Sequence, residues 1–397
     1  MIRRLFVLLA VAGTATACSE RLTTPGTCPS LCPGGQVTVR DTVIDVTFAS
    51  DSSLGGFNGP TDATSLLLST GATLGESRAV VRFLGRGDSL FVRDTVRTFT
   101  LDSAEVIVYL LQRDTTVTGL TLDVFRLPRT IDTLATVAEV DAEFTPDNLL
   151  FSLPIIDSIR SGPIPIPFQG ADLAKIAFTP ADSTELVIGL RLRAATTGAA
   201  RVGALRSGAL AAAFVSYVDI GVADTAIQKQ SIARSPARDF TVRPPTVTPG
   251  ADVLTVGGFP SKRAFMRFTL PSFLRDSATI IRATLELDGV APVVGIPGDS
   301  VRIDVRGLLA DFGLKSPIVG DRGANAYMRN GDRNLSVDVA SLVTLWQGSA
   351  PLPAALRLEL GNEWSSFLQP VFHSSRSSSG GPRIRITYRP PFPFQGF

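Results

Sequence analysis

His373 is the only histidine of the chain, and it stands beside Ser374 and Ser375 in a Ser/Gly-rich stretch. An imidazole next to hydroxyls invites comparison with a hydrolytic triad, but nucleophile, base and orienting carboxylate must converge in space around an oxyanion hole. Adjacency along the chain supplies none of this, so His373 is read as a loop or sandwich-edge residue. Carboxylate pairs cleave glycosidic bonds without histidine. Asp123 and Asp304 are the carboxylates at matching strand positions, but they belong to different halves of the chain and make a poor single site. Neither GxxxxGK[ST] nor a GxGxxG following a strand occurs. The expectation is a chain with no catalytic residues and no cofactor.

Binding chemistry has more to work with. Sugars pack their CH faces on exposed aromatic rings, and two aromatics fall in polar stretches that read as loops. Tyr327 lies with Arg329 in residues 320–333, and Trp364 lies with Asn362 in residues 361–367. Tyr327, Trp364, Asn362 and Arg329 are therefore the candidate ligand-binding residues, with capping of an open core end as the plainer role for both rings. The Asp/Asn content of 320–333 could also hold a structural calcium, though without an EF-hand pattern; no other metal site is expected.

Composition sets the limits. The chain has 397 residues, 44% of them hydrophobic and 19% charged, with a formal net charge of +2. That is enough apolar material for two domains and too little basic excess for a nucleic-acid footprint. A start of Met1-Ile2-Arg3-Arg4, an apolar run over 5–12 and small residues before Cys18 read as a secretory signal peptide over 1–17. Its apolar run is shorter than the roughly 20 residues of a membrane-spanning helix. Small residues before a cysteine resemble the lipobox of bacterial lipoproteins, which implies lipidation at Cys18; ordinary cleavage nearby stays open, because Ala15 stands where that motif more often has leucine. Losing Arg3 and Arg4 leaves the bases equal in number to the 36 acids, so the lipid alone would supply membrane attachment.

Cys28 and Cys32 sit in a Pro/Gly-rich tether over 18–36. In an oxidising compartment the pair is read as a local disulfide. A two-cysteine metal site and a redox motif are weaker readings, with no histidine nearby and one residue too many for Cys-x-x-Cys.

The remainder alternates like short strands separated by Gly, Pro, Asp and Ser clusters, as in an all-β sandwich or barrel. Only 171–176 and 339–346 look helical, the latter behind an Asp338 cap. The prolines of 390–393 argue against a closing barrel strand. A repeat organises the whole. Arg78-Ala79-Val80-Val81-Arg82-Phe83 returns as Arg263-Ala264-Phe265-Met266-Arg267-Phe268, and later strands recur in the same order, ending at Tyr217 and Tyr388. The offset shortens along the way, which places a net insertion in the Pro-rich stretch 144–168. Arg82 and Arg267 are expected to pair with carboxylates, Asp123 and Asp304 being the symmetric candidates.

At these positions the chain resembles the disaggregatase-related, or DNRLRE, repeat family of extracellular jelly-roll β-sandwiches, some of them carbohydrate-binding modules. The second copy carries the landmarks: residues 263–268, Ala283-Thr284-Leu285-Glu286-Leu287, Asp338-Val339 with Trp346, Phe372-His373-Ser374-Ser375-Arg376, and 382–388. The first copy lacks the F-x-S-R element. The resemblance implies an all-β protein of two tandem jelly-roll-like sandwiches, over 37–220 and 221–390, with a junction near 221–224 and a Pro/Phe tail over 391–397. With the leader and Cys18 the chain is read as an exported, lipid-anchored envelope protein, in the outer membrane because Ser19 is not the retention aspartate; the resemblance implies a polysaccharide, or another envelope component, as its partner, bound without catalysis. A structural or adhesion protein and a polysaccharide-degrading enzyme are the alternatives.

Overall fold

The computed structural model describes residues 39–390, apart from 48–49, 56–58, 86–88, 93, 177–184, 224–225, 247–249 and 348–351. The expected leader, Cys18, the Cys28/Cys32 pair, the tether and the tail all lie outside the described residues.

The protein is all-β, built from antiparallel sheets packed face to face around two large apolar cores. In the first unit one sheet runs in the order Arg238–Val242, Arg78–Leu84, Glu185–Arg193, Thr121–Leu127, Leu149–Pro154. The other runs Ala226–Arg234, Ala213–Ala223, Thr95–Arg113, Gly198–Gly203, Ser65–Thr70, with Gly162–Gln169 also on Thr95–Arg113. Strict alternation explains the packing: Ala104, Val106, Val108 and Leu110 are all buried while their neighbours face outward. The Pro-rich stretch becomes an edge strand, Gly162–Gln169, in which Ile164, Ile166 and Phe168 are buried and Pro163, Pro165 and Pro167 are exposed. Proline is tolerated there because an edge strand leaves every second amide without a ladder partner.

The second unit repeats this plan. Its five-stranded sheet runs Ser52–Gly55, Lys262–Arg267, Ala355–Leu360, Ser300–Leu308, Ile318–Arg329. Facing it are Arg40–Asp45, Arg383–Arg389, Thr279–Leu287 and Leu335–Asp338, with the pair Val253–Thr255 and Val371–His373 beside them. The core between them holds Met266, Phe268, Leu285, Leu358, Phe372 and Trp346, the last stacked on Phe268 at 6.1 Å.

Three expectations need correction. Sheet membership does not follow a division at 220/221: Arg40–Asp45 and Ser52–Gly55 complete the sheets of the second unit, and Arg238–Val242 completes a sheet of the first. The proposed junction near 221–224 falls within one sheet of the first unit, where Ala213–Ala223 pairs antiparallel with Ala226–Arg234. Alternation marks a strand without saying which sheet will take it. Residues 320–333 likewise are mostly strand, because Ala324, Ala326 and Met328 point inward at period two and pair against Ser300–Leu308.

The helical expectations are met by a 3₁₀ segment, Gly170–Ile176, and a helix, Ala340–Leu345, whose first turn donates the Ala340 N–H to Asp338 Oδ1 at 2.9 Å. A further helix, Val137–Ala142, opens with a reciprocal box between Thr136 and Glu139, a signal present in the sequence as Thr-x-x-Glu.

Candidate functional site: a cleft where the two units meet

Thr64 and Ser65 of the first unit approach the 361–367 turn of the second. The Thr64 N–H donates to Ser365 Oγ at 2.8 Å, and Ser65 Oγ donates to the Ser365 carbonyl at 2.8 Å. Beneath them Leu67 and Ala199 pack with Ile296 and Phe367. Beside this seam opens a cleft of about 390 Å³. Its working side chains are Tyr327, Asn362, Ser300, Arg302, Arg201 and Ser366.

Register positions them. Arg302 and Tyr327 are direct partners across the Ser300–Leu308 and Ile318–Arg329 ladder, so both side chains reach the cleft, and Tyr327 is 64% exposed. Gly361 lies against this arginine: its N–H donates to the Arg302 carbonyl at 2.8 Å, and a Cβ there would meet Arg302 Nε at 2.8 Å. The residue must stay small for the guanidinium to lie across the turn. Arg302 Nη2 also donates to Asp304 Oδ2 at 3.0 Å.

On the first unit's side, Arg201 Nη2 donates to Gln112 Oε1 at 2.6 Å and lies 3.4 Å from Asp299 Oδ1. Asp299 is buried, and its Oδ2 finds no hydrogen-bond partner among the described residues. Burial pushes its carboxyl above the usual aspartate range against the opposing pull of Arg201 and the Ser300 N–H. The cleft thus offers one ring face, two guanidinium groups and several hydroxyl and amide groups: stacking plus hydrogen bonding to a polar ligand.

Of the expected binding residues, Tyr327 and Asn362 meet in this cleft. Arg329 is exposed opposite Ser300 in the same ladder. Trp364 does not line the cleft; it takes a left-handed backbone conformation (φ 69°) and packs edge-on against Phe259 at 4.9 Å. Arg201, Ser300, Arg302 and Ser366 carried no signal in the sequence, because their meeting depends on how the units dock.

Arg82 and Arg267 do pair with carboxylates, but with different ones from those expected. Arg82 Nη1 donates to Glu185 Oε2 at 2.8 Å, and Arg267 holds Asp311 in a two-pronged pair. The ladder gives the reason: Arg191 faces both Arg78 and Asp123, so Asp123 is level with Arg78, four residues from Arg82. Asp123 instead accepts from Arg193, Ser152 and Arg191. Burial works to raise its pKa, but these bonds outweigh that and hold it below the usual range. Asp304 likewise faces Glu359, at the Arg263 end of its strand. A wider cleft of about 770 Å³ on the first unit is lined by Arg82, Arg126, Arg129, Glu143 and Glu185, and Arg82 there is committed to Glu185 and to the Ile131 carbonyl at 2.7 Å.

The serines around His373 serve the fold. Ser374 Oγ donates to the Ala251 carbonyl and Ser375 Oγ to Asp51 Oδ1, while His373 Nδ1 shares a hydrogen bond with Ser377 Oγ at 3.0 Å. Among the described residues no group of three or more His, Cys, Asp or Glu side chains could hold a metal ion.

No protein-family model matches the chain, and no curated protein matches it.

Proposed function

We propose that the protein is a non-catalytic binding module of the bacterial cell envelope, exported and anchored through a lipid on Cys18, that holds a polysaccharide in the cleft between its two units. The observation that carries this reading is the exposed Tyr327 ring set directly beside Arg302, with Asn362 and Ser300 around it. A pyranose could stack on the ring while its hydroxyls bond to the guanidinium and amide. The strand-for-strand correspondence of the two units supports a tandem jelly-roll topology of the DNRLRE kind. In that arrangement the paired arginines of residues 78–82 and 263–267 stiffen strands and leave ligand contact to the cleft.

A second reading, a purely structural or adhesive envelope protein, is favoured by the direct bonds of Thr64 and Ser65 to Ser365, which make a fixed seam without any ligand. Affinity electrophoresis of the full chain in gels of neutral and acidic polysaccharides separates the two. Retardation by one polysaccharide, lost in Tyr327→Ala, supports binding; unchanged mobility in every gel supports the structural reading. Depolymerisation of the gel polysaccharide would overturn both in favour of an enzyme.

A further inference from the structure

Asp51 and Asp239 do the same task in the two units. The Ser375 N–H donates to Asp51 Oδ2 at 2.6 Å, and the Leu205 N–H donates to Asp239 Oδ2 at 2.6 Å. Each donor stands two residues beyond corresponding strands, Val371–His373 and Gly198–Gly203. Register agrees: Asp239 faces Val81, and the pairing of Ser52 with Phe265 sets Asp51 opposite Met266, the residue that matches Val81 in the repeat. Residues 40–55 and 226–242 are therefore one element used twice, a pair of strands that adds an edge to each sheet of a sandwich. In the chain each copy precedes one unit, yet each is seated on the other. The pair before the first unit completes the second, and the pair before the second completes the first.

Two units close this exchange within one molecule. The same geometry is available between molecules, because the seat on the second unit recognises a sequence and not a connection. Ile44 and Val46 enter its core, Asp51 holds Ser375, and Thr387 Oγ1 donates to Asp41 Oδ1 at 2.6 Å. Of Arg40–Asp45 only Ile44 is buried; among the described residues Val46, Asp51 and the partly buried Leu54 must leave with it for the segment to detach. We propose that residues 40–55 of a second copy of this chain seat on the edges of Arg383–Arg389 and Lys262–Arg267, linking molecules by exchanged strand pairs.

The test uses single-cysteine chains in a full-length background in which Cys18, Cys28 and Cys32 are replaced by serine. Val43 and Arg385 are ladder partners. Chains bearing Val43→Cys and Arg385→Cys are mixed, incubated at rising concentration and treated with a short bis-maleimide, so that any 43–385 link joins two molecules. Chains bearing Val43→Cys and Phe91→Cys, the latter at a 71% exposed site, report random collision. The expected result is a 43–385 dimer at least tenfold above the 43–91 background, rising with incubation time and faster with Asp51→Asn. A 43–385 yield equal to background at every concentration overturns the proposal, provided the double variant Val43→Cys/Arg385→Cys links within one chain. Failure of that internal link overturns it too, by contradicting the seat itself.

Discussion

Arg201 of the first unit lies 3.4 Å from the buried carboxylate of Asp299 in the second, a charged pair that crosses the seam. Removing the arginine leaves a buried acid without its counter-charge. Breaking fully buried pairs costs about 3–5 kcal/mol; with Arg201 24% exposed, a loss of about 2 kcal/mol is expected for Arg201→Ala. The penalty depends on pH. Because the folded pKa of Asp299 is raised, the stability it contributes is complete below its unfolded pKa and is lost as pH rises through the folded value. Without Arg201 that loss deepens, so the Tm gap between wild type and Arg201→Ala should widen from pH 4 to pH 8. A constant gap would show that Asp299 does not ionise at the seam.

Asp239 gives a sharper pH signature. Burial pushes its pKa up to about 6, against the pull of the Leu205 N–H. Its protonated form suits the fold, so its contribution is present below an unfolded pKa near 3.8 and disappears as pH rises through about 6. An amide accepts the same N–H without a charge. Asp239→Asn should match wild type near pH 4 and exceed it at pH 8, by at most about 3 kcal/mol. Urea unfolding at the two pH values checks this; equal differences at both would sink it.

Tyr327 and Trp364 should separate cleanly. Tyr327→Ala is expected to weaken polysaccharide retention about tenfold, the equivalent of roughly 1.4 kcal/mol, with no change in Tm. Trp364→Ala is expected to leave retention alone and cost roughly 2 kcal/mol, since its ring packs on Phe259 and is only half-buried. Affinity electrophoresis and thermal melts on the same preparations read both. The reverse pattern would move the binding surface away from the cleft.

Metabolic labelling with a palmitate analogue should mark the wild-type chain and spare Cys18→Ala. Equal labelling of the two would refute the anchor.

Much of the fold could be read from the sequence because alternation and repetition are local signals. The matched strands 78–84 and 262–267 each lie second from the edge of a five-stranded sheet, and each has on one side the strand that the repeat also matches, Glu185–Arg193 or Ala355–Leu360. What escaped was relational. Repeat symmetry suggests Asp123 for Arg82 and Asp304 for Arg267, but antiparallel register sets Asp123 level with Arg78. Residues 40–55 sit next to the first unit in sequence and inside the second in space. The cleft was half legible: an aromatic among polar residues marked Tyr327, whereas Arg201 and Ser300 became neighbours only through docking of the units.

The alternating prolines of Gly162–Gln169 bear on how the protein tolerates crowding at a surface. A neighbouring strand that tried to extend the sheet there would find carbonyl acceptors at Pro163, Pro165 and Pro167 but no amide to complete a ladder. That flank of the first unit is sealed against aggregation by the backbone itself, with no charged gatekeeper required.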